Sequence, residues 1–344
     1  MKRFLSFILA IIFILSIPFS VYAVSLNDGS TALKNQFKYG EGPKTDGYSI
    51  DYRYYSPVKS GSKTTKYPLV IWLHGLNNGK TEGQQIGDII NWSSDELQKR
   101  FSPSKGAFIF VPRSREELGF SWNDNEMFAP LKAALDSFIA QNKANIDLNR
   151  IYIGGFSMGG MMTIKVLMEY PDMFAAAFPY CPATFLTKSM AKQFKDVPVW
   201  ITSSNQDPTV DYDFLILNTW KSIKSSSNVK SDCRLSTLTQ VCAPDGTAAS
   251  SNHFAWFAVR YDMFSAKNGN YPNMTTVDGN DNKVTLTYPN GMISWLSSHT
   301  SDYGGSADNS DQESDSYIQS ILNYIKNSYN RIMAKIKNAI SFIF

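Results

Sequence analysis

Arg150-Ile-Tyr-Ile-Gly-Gly-Phe-Ser157-Met-Gly-Gly160 is the stretch that decides how this chain reads. Ile151 to Gly154 suits a short buried strand. Gly155-Phe156-Ser157-Met158-Gly159 turns it, and Met161, Ile164, Lys165 and Met168 then recur at helical spacing until Pro171. A serine hydroxyl is a weak nucleophile unless it is exposed and paired with a base. A sharp strand-to-helix corner projects it above the sheet, and glycines two residues either side let the backbone turn. The helix that follows aims its first N–H groups at the same spot, where negative charge would develop.

Outward from that corner the chain alternates strands and helices. Tyr67 to Leu73, Ala107 to Val111, Phe174 to Tyr180 and Val197 to Ile201 are short runs, apolar on both faces, as parallel strands under helices are. Helical patterns lie between them. Met127, Leu131, Leu135, Phe138 and Ile139 share one face of a helix predicted over about 126–143. Asp211 to Ser225 and Met292 to Ser298 are further helices. Tyr48 to Tyr55 alternates with period two and is expected to be an antiparallel edge strand. The fold class implied is α/β, a doubly wound, mostly parallel sheet.

A hydroxyl nucleophile on such a sheet takes its partners in the order serine, acid, histidine. Asp207 follows the strand candidate Val197 to Ile201, in a loop at the carboxyl end where α/β sites lie. Asp211 and Asp213 are rivals that read better as the acidic first turn of the next helix. Only three histidines exist. His74 precedes the nucleophile in a turn, and His299 falls at a helix end. His253, in the polar loop Ser251-Asn-His253-Phe-Ala-Trp256, is left as the base. Backbone N–H groups of Leu76, after the strand ending at Leu73, and of Met158 are the candidate oxyanion donors.

Taken together, the segments Pro68 to Gly75, Gly155 to Gly160, Asp207-Pro-Thr-Val210, His253-Phe-Ala-Trp256 and Trp295-Leu296 resemble the α/β-hydrolase superfamily. Within it the chain resembles secreted esterases of the polyhydroxybutyrate-depolymerase and feruloyl-esterase type, and the catalytic domain of prolyl-oligopeptidase-like proteins. The resemblance implies acyl transfer to water through a serine ester, with no cofactor and no metal. A Gly/Asn-rich stretch from Asn268 to Asn282 departs from the pattern and is expected to remodel the loop that carries the histidine. In such a fold the loop Gly119 to Asp124 lies on the catalytic side. Trp122 and Trp256 are therefore candidates for stacking on an aryl or sugar group, with core packing as the alternative. An ester, aryl or polymer-linked, is the expected partner. A peptidase or amidase, and a non-catalytic surface-binding protein on a hydrolase scaffold, are the other readings.

Composition bounds these readings. The chain has 344 residues, 43% of them apolar, which excludes wholesale disorder. A net charge of +3 gives no case for nucleic-acid binding. Lys2, Arg3, the apolar run Phe4 to Ile17 and Val21-Tyr-Ala23 read as a signal peptide over 1–23, which predicts secretion. Export permits disulfides, and Cys233 and Cys242 are an expected pair, with Cys181 left over and buried. The catalytic domain is expected over 24–300. An acidic Ser/Gly/Asp linker over 301–316 then leads to a basic amphipathic helix over 317–344, expected to contact a membrane or cell surface peripherally.

Overall fold

The computed structural model describes residues 28–304 apart from 46, 60–64, 77–81, 120, 243–245 and 265–270. The expected signal peptide, the bulk of the linker and the terminal basic helix lie outside the described residues.

Among the described residues nine strands form one sheet: β1 (Lys38–Glu41), β2 (Asp51–Tyr55), β3 (Tyr67–Leu73), β4 (Phe108–Pro112), β5 (Ile146–Phe156), β6 (Ala176–Tyr180), β7 (Trp200–Ser204), β8 (Arg234–Leu238) and β9 (Met274–Asp278). Their order is β1-β2-β4-β3-β5-β6-β7-β8-β9. The strands from β4 to β8 in that order run parallel, β2 and β9 run against them, and β1 pairs antiparallel with β2. Every residue of β3 and β4 is buried, which is why these strands read as unbroken apolar runs. β6 pairs with β7 at Tyr180 and Thr202, and with the segment leading into β7 through a bridge of Ala177 with Val199. Pro179 and Pro198 flank that join and have no N–H to give to it.

Five helices matter here: α1 (Phe128–Gln141), α2 (Met158–Glu169), α3 (Leu217–Ser226), α4 (Trp256–Arg260) and α5 (Met292–Ser297). α1 and α2 cover one face, where Ile71 and Ile153 meet Leu131, Leu135 and Val166 along a common seam. α1 buries Leu131, Ala134, Leu135 and Phe138, while Ile139 turns out only half-buried. It ends where the Asn142 side chain donates to the Phe138 carbonyl at 2.9 Å. Phe138 sits among Tyr52, Tyr54, Phe108 and Phe110, with ring centroids 4.9–6.0 Å apart. Truncating such a ring to alanine costs about 3–5 kcal/mol. On the other face Trp92 stacks on Phe178 at 5.7 Å and donates to the Val259 carbonyl of α4. The predicted helix over 211–225 begins as a π-helical turn, Tyr212–Ile216, capped by the Asp211 carboxylate accepting from Phe214 N at 2.7 Å. Asp211 is thereby used as a cap.

Two expectations are corrected. Cys233 and Cys242 are free, so the predicted disulfide is not formed. Cys233 directly precedes β8 and Cys242 lies four residues past its end; Cys233 Sγ sits 3.5 Å from Ser227 Oγ, and Cys242 Sγ accepts from Asn273 Nδ2 at 3.8 Å. The stretch Asn268 to Asn282, read as a loop insertion, supplies β9, which pairs antiparallel with β8. β8 and β9 have half-polar faces and short lengths, so neither showed as a strand in the sequence.

Candidate active site

Ser157 occupies the corner between β5 and α2 with φ 56° and ψ −112°, a backbone conformation that costs a non-glycine residue about 1–3 kcal/mol. The surroundings enforce it. Ser157 N donates to the Tyr180 carbonyl at 2.8 Å. α2 packs so close to β3 that a Cβ on Gly159 would stand 2.0 Å from the Leu73 carbonyl oxygen. A Cβ on Gly155 would meet the Gly159 backbone at 2.6 Å. Any larger residue at either place pushes the corner open.

The structure brings Ser157, His253 and Asp207 together. His253 Nε2 lies 3.1 Å from Ser157 Oγ, and its Nδ1 lies 2.8 Å from Asp207 Oδ2. The carboxylate accepts at Nδ1, so Nδ1 carries the proton and Nε2 is free to take one from the hydroxyl. Asp207 Oδ1 is held in turn by Thr209 N at 2.8 Å and Val210 N at 3.0 Å. Burial pushes the Asp207 carboxyl up, but the hydrogen bond and charge of His253, with those two amides, outweigh it and hold the group below the usual aspartate range. His253 and Ser157 are 4% and 7% exposed, so the hydrogen-bonded chain is largely shielded from water. The Phe156 ring packs 4.7 Å from the imidazole and fixes its tilt.

The register of the sheet positions the two expected oxyanion donors. Leu73 of β3 is level with Gly155 of β5, so Leu76 and Met158 each lie three residues past the same rung. Met158 is the first residue of α2, and its N–H has no carbonyl within the helix to bond. His74 orders the turn that carries Leu76. Its Nδ1 donates to the Gly75 carbonyl at 2.7 Å, and its Nε2 accepts from Ser114 N at 3.1 Å. Full burial, aided by the Arg113 charge, pushes its pKa down to about 4 against the upward pull of the Gly75 bond. His299 is spent at the end of α5, its ring 4.9 Å from Trp295.

Trp122 corrects the sequence reading. It is 1% exposed and packs 5.3 Å from the His74 ring, so no face is left for a substrate. Trp256 is half-buried, three residues past His253, with the Arg260 guanidinium 4.5 Å over its ring. Cys181 is free and buried, as expected, but its place beside the site was not foreseen. Its Sγ, an Asp207 carboxylate oxygen and a His253 ring nitrogen all lie within 4.8 Å of one another, which makes these three the one such ligand cluster among the described residues. Nothing local to Cys181 signals this neighbourhood. Sequence reasoning also passed over Phe185, in the loop after β6, and Phe214, in the π-helical turn Tyr212–Ile216, two half-exposed rings stacked 5.5 Å apart.

Comparison with known proteins agrees with the fold. The sequence pattern of the prolyl oligopeptidase family matches residues 115–276, a span that contains Ser157, Asp207 and His253. Acyl-protein thioesterase 1 of Cryptococcus neoformans var. neoformans serotype D is 28% identical over 175 residues, covering 46% of this chain and 73% of that protein. A bifunctional acetylxylan esterase/xylanase of Neocallimastix patriciarum is 23% identical over 174 residues, 49% of this chain and 23% of that protein. The crystal structure of a thermostable esterase superposes with a TM-score of 0.54 at 27% identity, covering 67% of this chain and 61% of that one. The chain has the fold of the α/β-hydrolases, and the proteins it is similar to are hydrolases of esterase, thioesterase and prolyl-oligopeptidase type.

Proposed function

We propose that this protein is an exported serine carboxylesterase that works through Ser157, His253 and Asp207. The observation that carries the reading is the continuous hydrogen-bonded chain from Ser157 Oγ through the His253 ring to Asp207, on a strained strand-to-helix corner. His253 Nε2 takes the Ser157 proton as Oγ attacks an ester carbonyl. The Leu76 and Met158 amides receive the oxyanion, one such donor being worth about 3–4 kcal/mol of transition-state stabilisation. Asp207 keeps the imidazole in its tautomer and stabilises its charged form. His253 then protonates the leaving alcohol, and a water molecule repeats the sequence on the acyl-enzyme. Trp256, beside the base, is the apolar wall for the substrate.

Hydrolysis of p-nitrophenyl acetate and butyrate by the mature chain, beside Ser157→Ala, tests this. Serine-dependent turnover is expected. No turnover, together with no fluorophosphonate labelling of Ser157, would overturn it. A thioester reading rests on the likeness to acyl-protein thioesterase 1. The same attack cleaves a thioester, and butyrylthiocholine turnover above that of the oxygen ester would favour it. Export rests on Lys2, Arg3 and the apolar run that follows. A secreted product beginning at Val24 is expected, and a cell-retained chain beginning at Met1 would refute it. Peripheral surface contact through 317–344 rests on four basic residues without an acid in that span. Truncation after Tyr303 that leaves binding to anionic vesicles unchanged would remove it.

A further inference from the structure

Cys181 directly follows Tyr180, whose carbonyl accepts Ser157 N. Its own side chain reaches the other two members of the chain. Cys181 Sγ donates to the His253 carbonyl at 3.6 Å, and the Asp207 carboxylate lies in the same cluster, every member within 4.8 Å of the others. On the far side the sulfur accepts from Ser203 Oγ at 3.6 Å, at the end of β7. Cys181 N donates to the Thr202 carbonyl at 2.9 Å. The residue holds φ 43°, a region a non-glycine side chain enters only when its surroundings demand it. It is fully buried. The ionisable groups that face the thiol are Asp207 and His253, with Tyr180 its neighbour in the chain. Burial first, and the Asp207 charge next, push the thiol well above its usual range. It is therefore an S–H group, with a proton to give.

We propose that Cys181 is a positioning residue of the triad, its one thiol hydrogen shared between the His253 carbonyl, to which it donates, and the neighbouring Asp207 carboxylate. This rests on the Ser157–His253–Asp207 reading. The share of that hydrogen that reaches Asp207 stabilises the carboxylate and draws some of its charge away from His253 Nδ1. Removing it leaves Asp207 to hold the imidazolium more tightly, so His253 keeps its proton to a higher pH.

The test compares wild type, Cys181→Val, which keeps most of the volume without a donor, and Cys181→Ser, which restores one. kcat/KM for p-nitrophenyl butyrate is measured from pH 5 to 9, with fluorophosphonate labelling and melting temperature alongside. Valine is expected to lower kcat/KM about tenfold, the scale of one hydrogen bond to a charged group, mainly through kcat. It is also expected to move the acidic limb of the profile to higher pH, and serine to return both towards wild type. A loss of equal size at every pH, or a serine variant as impaired as valine, overturns the proposal. If valine does not fold, Cys181→Ala replaces it with the same expected and refuting outcomes. Wild-type protein that neither turns over ester nor labels at Ser157 overturns the esterase reading itself, and this inference with it.

Discussion

The turn after β3 and the loop after β8 each bury a histidine, and the two imidazoles do different work. His74 has both ring nitrogens bonded to backbone groups, Gly75 O at 2.7 Å and Ser114 N at 3.1 Å, with the Ser114 hydroxyl farther off at 3.4 Å and no carboxylate on the ring. His253 has both bonded to side chains, a carboxylate and a hydroxyl. Backbone partners cannot exchange protons with the ring at neutral pH, so His74 is a neutral brace. Side-chain partners can, so His253 is fit to be a base. The residue type is the same and the exposure nearly so. The carboxylate at Nδ1 is what separates a histidine placed to act as a base from one that braces a turn.

That contrast can be broken by mutation. Ser157→Ala or His253→Ala is expected to lower kcat by up to ~10⁶, and Asp207→Asn by about 10⁴, because the first removes the nucleophile, the second the base, and the third leaves the base in the wrong tautomer. Stopped assays on p-nitrophenyl butyrate check this. Retained turnover in His253→Ala with loss in His74→Gln would exchange the two roles.

Stability sharpens the contrast next. His74 has a folded pKa of about 4 against an ordinary 6.5, so the unfolded chain binds the extra proton between those values. Its contribution is intact above pH 6.5 and falls as pH drops towards 4, by up to about 3 kcal/mol. Asp88 and Asp262, buried carboxyls pushed up to about 7, run the other way, since their stabilisation is lost as pH rises. The difference between wild type and His74→Gln therefore carries the test. Urea midpoints should converge between the two proteins as pH falls from 7 to 4.5. A constant gap would mean that His74 is not the neutral brace. Activity per folded molecule should survive in the variant.

Trp122 leans on that brace. Trp122→Phe is expected to lower the melting temperature by a few degrees, the effect of about 1 kcal/mol in a domain of this size. KM should move equally for aryl and alkyl esters, and a rise confined to aryl esters would restore a substrate role. The smallest expected effect is none: dithiothreitol should leave the melting temperature unchanged, because Cys233 and Cys242 are thiols on either end of β8.

Much of the site was legible because its signals are local. The Ser157 corner declares itself by glycines whose absent side chains clear Leu73 and Gly159. Asp207 was readable from its place after a strand, and His253 because only three histidines compete. The strands β3 to β7 were visible as apolar runs. What stayed hidden depends on distant neighbours. β9 pairs Met274 with Leu238 and Asp278 with Arg234, a partnership no window of sequence contains. The same holds for Trp122, whose burial against His74 is set by how two loops meet.

The sequence by itself determined the strand–helix alternation, the nucleophile corner and the order serine, acid, histidine. The first two are signalled by residues close together in the chain, through sterics, periodicity and turn chemistry, and the third is read directly from the chain order. Only the tertiary structure decided which histidine faces a hydroxyl, that Trp122 is core, that Cys233 and Cys242 stay apart, and that Cys181 lies beneath the triad. These follow from the strand order β5-β6-β7-β8, which carries residues 157, 181, 207 and 253 to one edge of the sheet. Chain separation sets no limit on such contacts once the sheet has closed its loops, and so the linear pattern carries no trace of them.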